Sequence, residues 1–285
     1  MQQPPGFEDP QRPIHVFRLN RALYGLKQAP RSWFLKLRTT LLNWGFSCSR
    51  ADNSLFFIHT SNTGLLLLVY VDDILVTGRS PPQVLSFLKY LNNTLSLRDL
   101  GPINYFMGIE VAHVNGGLHL NQQKYIHDLL TRTTMQNSKP TSTPGVAGTN
   151  LSQFDGEPFP DASLYRSIVG ALQYVTITRP HFSYAVNKAC QFMANPTTMH
   201  WLVLKRILRY LKGSASLGLI LYPSSSLDIQ AYTDGDWASC PDDRRSTTGY
   251  CIFLWVQSSL LVLYLSSAKS YPAVAQSLNT VLLLQ

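Results

Sequence analysis

Charge is scarce in this 285-residue chain: only 14% of residues are Asp, Glu, Lys or Arg, while 45% are hydrophobic. Disordered chains carry the opposite balance, so wholesale disorder is excluded and sizeable apolar cores are expected. Long apolar runs are missing as well. The longest uncharged apolar stretches, 65–71 and 251–265, fall short of the ~18–20 residues that cross a bilayer, and the second contains Gln257, Ser258 and Ser259. No basic-then-apolar leader opens the chain, because Met1 runs into Gln-Gln-Pro-Pro-Gly. An intracellular protein with no membrane partner is therefore expected. Cysteine is sparse too. Cys48, Cys190, Cys240 and Cys251 share no CxxC spacing, which reads as reduced thiols and not as a zinc site or a disulfide frame.

The charge that is present is unevenly placed. Residues 1–212 hold 21 basic and 11 acidic side chains, whereas residues 213–285 hold 3 and 5. The first fifty residues carry eight basic groups against two acids. A basic body invites a polyanion, nucleic acid above all, because neutralised phosphates release counterions. A merely cationic soluble surface accounts for the charge equally well.

Hydrophobic spacing divides the chain into mixed α and β elements. Residues 1–13 are Pro-rich and read as extended. Trp33, Leu37, Leu41 and Trp44 form a helical stripe closed by Gly45. Strands are predicted at 55–59, 65–71 and 74–77, then a helix from Pro81 to about Leu95. Strands follow at 105–111 and 118–120, with Asn115-Gly116-Gly117 as a hairpin turn. A helix starts after Gln122, residues 136–160 form a Pro/Ser/Thr/Gly-rich loop, and helices are predicted near 162–176, 182–193 and 197–212. Strands are expected at 217–222, 227–233 and 248–255. Residues 256–285 show one charged residue, Lys269, and no clean period.

Tyr70-Val71-Asp72-Asp73 is the sharpest chemical feature. Adjacent carboxylates following an uninterrupted apolar strand sit beside a core and repel each other. Divalent cations relieve that repulsion, and Mg²⁺ takes hard oxygen ligands while keeping waters for a phosphate-bearing substrate. Two such ions ~3.5–4 Å apart activate a 3′-hydroxyl and stabilise a leaving pyrophosphate. A solvated Asp-Asp turn between two strands fits the same residues.

The YVDD hairpin resembles motif C of reverse transcriptases, and its surroundings resemble copia-type long-terminal-repeat retrotransposon polyproteins. The phrases QPPGFEDP at 3–10, LNRALYGLKQAPRSWF at 19–34, LLLLVYVDDILVTG at 65–78 and DLGPINYFMGIEV at 99–111 carry the likeness. GALQYVTITRP at 170–180, VLKRILRYLKG at 203–213, AYTDGDWA at 231–238 and RRSTTGYCIFL at 244–254 continue it in order.

The resemblance implies an α+β chain. Residues 1–120 would be a partial right-hand polymerase palm without fingers or first catalytic strand, and 121–213 a mostly helical thumb or connection. Residues 214–285 would be an incomplete ribonuclease H-like α/β region, degenerate from about 255. It implies that Asp72 and Asp73 are metal-binding catalytic carboxylates for Mg²⁺, with Mn²⁺ as a substitute, and that Tyr70 approaches the primer end. Lys27 and Gln28 match motif B, near the incoming deoxynucleoside triphosphate and the template; a Gly/Pro-punctuated loop into a helix reads the same. Phe106, Met107 and Gly108 match the primer grip, or form a plain strand bend. Lys205, Arg206, Arg209 and Lys212 track a nucleic-acid backbone or form a solvated helix face. Asp234 matches the first ribonuclease H carboxylate, with Asp236 as its neighbour. The implied partners are an RNA template with a DNA primer, or an RNA–DNA hybrid; no residue pattern specifies an oligomer.

Two expected parts are missing. The family's third polymerase carboxylate precedes QPPGF, and no Asp or Glu follows Asp243, where the ribonuclease H glutamate would stand. A truncated, catalytically silent reverse transcriptase fragment is therefore expected, its tail the product of a shifted frame or a mis-joined exon. The alternatives are a non-catalytic nucleic-acid-binding remnant and a pseudogene product without function.

Overall fold

A computed structural model describes residues 2–18, 23, 25–61, 63–95, 97–146, 150–223, 229–254, 260–268 and 282–283. The chain forms two units, Met1–Ile103 and Asn104–Gln285.

In the first unit, helix α1 (Ala29–Trp44) carries Pro30 in its first turn, where a fixed φ and a missing N–H are tolerated. It stops at Gly45, φ 108°, whose N–H donates to the Leu42 carbonyl at 3.0 Å while that of Phe46 reaches Leu41 at 3.0 Å. Strands β1 (Ser47–Cys48), β2 (Leu55–His59), β3 (Gly64–Tyr70) and β4 (Asp73–Gly78) form an antiparallel sheet in that order. Although β3 is apolar throughout, the pleat sorts it: Leu65, Leu67 and Val69 are buried while Leu66 and Tyr70 are exposed. Helix α2 (Pro81–Leu95) adds Phe87 and Leu91 to the same core, with Leu37 and Leu41 of α1 and Phe56 of β2. Each such side chain contributes roughly 1.5–3 kcal/mol by leaving water. β4 ends on Gly78 because a Cβ there would lie 2.5 Å from Leu65 Cδ2 and 2.8 Å from the Gly64 carbonyl. The N-terminal phrase is folded into turns, not extended. Buried Gln3 donates to the Arg12 and His15 carbonyls, both at 2.8 Å, and accepts from Asp9 N–H at 2.6 Å. One side chain supplies there the hydrogen bonds that a strand partner would supply.

Among the described residues, the second unit holds two sheets and four α-helices. The strand expected at 105–111 is divided into β5 (Tyr105–Phe106) and β6 (Ile109–Val114) by a turn at Met107 and Gly108, φ 50° and 80°. The hairpin from β6 to β7 (Gly117–Asn121) turns on Asn115-Gly116, φ 43° and 80°, as its sequence predicts. Strand β8 (Leu219–Leu221), far along the chain, pairs with β7 from Leu118↔Leu221 to Leu120↔Leu219. Helices α3 (Gln123–Arg132), α4 (Ala162–Val175), α5 (Ser183–Cys190) and α6 (Thr198–Gly213) match the helical stripes. Their buried faces meet in one core that includes Ile126, Leu130, Ile168, Leu172, Leu204 and Leu208.

Polar groups fix the ends of these helices. Asp161 accepts the Leu164 N–H at 2.8 Å, capping α4. Thr197 and His200 form a reciprocal cap on α6. The His200 ring is fully buried and stacked on Phe192 with centroids 3.8 Å apart. Its Nδ1 accepts the Thr197 N–H at 3.0 Å and its Nε2 stands 3.1 Å from the Ser152 carbonyl. A neutral ring with its proton on Nε2 satisfies both contacts, and burial holds the imidazole pKa below its ordinary value. At the other end of α6, buried Arg179 donates to the Ser214 carbonyl at 2.8 Å and hydroxyl at 2.7 Å. The helix C-terminus and the faces of Phe182 and Tyr210, 5.7 and 5.4 Å away, stand where a carboxylate usually would.

The last sheet has the order β11-β10-β9-β12, from β9 (Ile229–Gly235), β10 (Ser246–Leu254), β11 (Leu260–Ala268) and β12 (Leu282–Leu283). Strand β11 lies in the tail, where no element is expected. It pairs with β10 from Ser246↔Ala268 to Leu254↔Leu260. A partner's backbone, which composition does not reveal, organises that segment. The remaining tail residues, 255–259, 269–281 and 284–285, lie outside the described residues. All four cysteines are free, and among the described residues no helix is long and apolar enough to cross a membrane.

Candidate active site

Strands β3 and β4 are registered so that Tyr70 faces Asp73, leaving Val71 and Asp72 as a two-residue tip. Two-residue hairpins favour turns with a first central residue at positive φ, a place usually taken by glycine or asparagine. Here it is Val71, φ 51°. A β-branched side chain in that region stores on the order of 1–3 kcal/mol, held in place by the paired strands and the core beneath them. Tyr70 is 49% exposed and Val71 70%, and Asp72 and Asp73 are exposed beside them.

Among the described residues, neither the Asp72 nor the Asp73 carboxylate makes a hydrogen bond or an ion pair. Their oxygens suit a hard divalent cation, which binds through one or two carboxylates and completes its shell with water and substrate phosphate. The donor set stops there: among the described residues no group of three or more His, Cys, Asp or Glu is placed to hold a metal ion.

The other sequence-predicted residues divide between the units. Lys27 and Gln28 are exposed in the turn that leads into α1, and the Gln28 carbonyl accepts the Ser32 N–H at 3.1 Å. In the second unit, Phe106, Met107 and Gly108 form the β5–β6 tip. A Cβ on Gly108 would lie 3.2 Å from the Tyr174 hydroxyl. Asp234 is exposed near the end of β9, and its Oδ1 accepts the neighbouring Gly235 N–H at 2.9 Å. Asp236 is fully engaged: Oδ1 accepts the Thr247 N–H at 2.5 Å, and Oδ2 accepts from the Ser239 hydroxyl.

The basic face of α6 is engaged as well. Arg206 donates to the Thr143 hydroxyl at 2.7 Å, Arg209 to the Lys139 carbonyl at 2.6 Å and Lys212 to the Ser138 carbonyl at 2.6 Å, while Lys205 stands over the Trp201 ring, 5.7 Å from its centroid. These contacts join the helix to the 136–160 loop, a role that helical spacing alone does not signal. The strain at Val71 also escapes sequence reasoning, although the short interval between two apolar strands already calls for a special backbone conformation there.

Comparison with known proteins assigns the chain to a class. The chain belongs to the reverse transcriptase (RNA-dependent DNA polymerase) family, whose model matches residues 1–147. It is similar to the retrovirus-related Pol polyprotein from transposon RE1 of Arabidopsis thaliana, 48% identical over 254 residues, which cover 89% of this chain and 17% of that protein. The Pol polyprotein from transposon TNT 1-94 of Nicotiana tabacum is 35% identical over 260 residues, 88% of this chain and 20% of that protein. An uncharacterized mitochondrial protein of Arabidopsis thaliana is 46% identical over 213 residues, 75% of this chain and 86% of that protein. The chain thus spans a fifth or less of the two polyproteins. No solved structure matches it.

Proposed function

We propose that this chain is the part of a copia-type retrotransposon reverse transcriptase that carries the motif C carboxylates, and that by itself it does not turn over. Its first unit corresponds to palm, its helices to thumb or connection, and its last sheet to the start of a ribonuclease H-like region. The observation that carries the reading is the β3–β4 tip, where the Asp72 and Asp73 carboxylates are exposed and have no partner among the described residues, in a member of the reverse transcriptase family.

Asp72 and Asp73 would hold Mg²⁺, or Mn²⁺ in its place. When bound, the ion supplies charge neutralisation for nucleotidyl transfer. Tyr70, opposite Asp73 on the exposed face, sets the position of a primer end relative to the carboxylates. Lys27 and Gln28 lie exposed where a nucleotide and a template strand would be met, and basic residues of both units contribute to holding a primer–template or an RNA–DNA hybrid. Inactivity in isolation follows from the donor count. Two carboxylates without a third leave the ion loosely placed, and small misplacements of reacting groups lower rates by ~100-fold. Among the described residues Asp234, like the first pair, belongs to no group of three or more His, Cys, Asp or Glu that could hold a metal ion.

Primer extension on a primed homopolymer template, with Mg²⁺ or Mn²⁺, tests this directly. The expected result is incorporation no greater than that of an Asp72→Asn control; clear incorporation above that control overturns the inactivity. Binding to an RNA–DNA hybrid should weaken steeply with salt and be unchanged by Asp72→Asn. Salt-independent binding, or none, removes the nucleic-acid reading.

A further inference from the structure

Arg206, Arg209 and Lys212 converge from α6 on residues 138–143, yet they meet only neutral acceptors: two backbone carbonyls and one hydroxyl. Among the described residues the one ion pair is Arg245 with Asp243, so this cationic face has no carboxylate partner. Arg206 is the most informative of the three. The side edge of a guanidinium presents Nη2 and Nε as a fork that matches two oxygens of one phosphate. Nη2 donates to Thr143 Oγ1 at 2.7 Å, while Nε is buried and has no partner. Half of the fork is therefore idle, and the occupied half rests on a hydroxyl that can be esterified. Thr143 is exposed and is followed by Pro144. Ser138, Thr141 and Ser142 share the segment, but none of them precedes a proline.

We propose that Thr143 is a phosphorylation site for a proline-directed serine/threonine kinase and that Arg206 is the clamp for its phosphate. In the transfer, a bond forms between Thr143 Oγ and the γ-phosphorus of ATP as the bond from that phosphorus to the ADP oxygen breaks. The hydroxyl proton passes to the kinase's base and ADP leaves. The product replaces a neutral acceptor with a group of charge about −1.5 to −2 and three acceptor oxygens. One oxygen takes over the Nη2 contact and a second answers Nε, while Arg209 and Lys212, which reach the same loop from α6, add positive potential. The consequence is a bidentate ion pair between α6 and residue 143, where a single hydrogen bond from Arg206 now reaches that side chain.

The test treats the full chain with a proline-directed kinase and ATP, maps the phosphate by mass spectrometry, and follows backbone hydrogen exchange across 138–146. One phosphate is expected, on Thr143, and exchange in that segment should slow by on the order of tenfold, as one added charge-assisted hydrogen bond implies. Arg206→Lys keeps the charge but lacks the fork, and should lose most of that slowing. A measurement without any Arg206 variant is the ³¹P titration of the phosphothreonine, whose second pKa should fall below the ~6 of an unclamped group. The proposal is overturned by no incorporation, by phosphate on another residue of the segment, by equal slowing in Arg206→Lys, or by an unshifted phosphorus titration.

Discussion

Two places in the molecule set a pair of aspartates at the end of a strand, and they use them in opposite ways. At the tip between β3 and β4, the carboxylates of Asp72 and Asp73 are exposed and accept nothing from the described residues. At the end of β9, Asp234 accepts from the next backbone N–H, and Asp236 ties down both Ser239 and the N–H of Thr247. The acids of the second pair hold the turn that leads from β9 to β10. Those of the first pair hold nothing, and their backbone is strained at Val71 to put them there. Spent hydrogen-bonding capacity, more than spacing, separates an aspartate that shapes a turn from one left available to a ligand.

The contrast can be broken most directly at Asp236. Replacing it with Ala strands the largely buried Thr247 N–H, and stability measured by urea unfolding should fall by about 1.5–3 kcal/mol. A negligible change would show that this acid is as free as the other pair. Val71→Gly acts in the other direction. It relieves the positive φ, so the same measurement should rise by about 1 kcal/mol, and a loss instead would mean that the valine side chain matters to packing at the tip.

Acid pH probes the second unit more gently. The folded pKa of His200 is depressed by burial, so its contribution is complete above the unfolded value of about 6.5. As pH falls below that value the unfolded chain takes up a proton that the folded chain refuses, and stability declines. A His200→Gln variant should show a shallower decline between pH 7 and 5, and an unchanged slope would assign the acid sensitivity to other groups. Smallest of all should be the stability effects of Asp72→Asn and Asp73→Asn, within about 0.5 kcal/mol. Both should nonetheless weaken Mn²⁺ binding, read as lost paramagnetic broadening of the amides around Tyr70 and Ile74. A marked loss of stability in either variant would place these acids in the structural class with Asp236.

Much of this arrangement was legible in the residues. The apolar stripe of α1 with Gly45 after it, the three strands around the Asp-Asp pair and the helix opened by two prolines need only local rules, and they fall where periodicity puts them. The family was legible from ordered phrases along the chain. What stayed hidden depends on partners that helical or strand spacing does not identify. Gln3 gathers three backbone groups of its own loop, β11 exists because β10 lies beside it, and Arg206 meets Thr143 across 63 positions. No periodicity encodes such meetings. The φ of Val71 stayed hidden for another reason: valine is among the residues that local preference would place there last.

Strand β8 arrives in its sheet only after four helices have been made, and it docks against β7 with Gly218 beside it, where a Cβ would lie 2.1 Å from the Leu120 carbonyl. During synthesis, the outer rim of β7 therefore waits with unpaired amides and carbonyls for nearly a hundred residues. A ribosome-bound or proteolysed piece ending near Gly213 would carry that bare rim, a template for adhesion between molecules. Any side chain at Gly218 would bar the closing strand and make the exposure permanent.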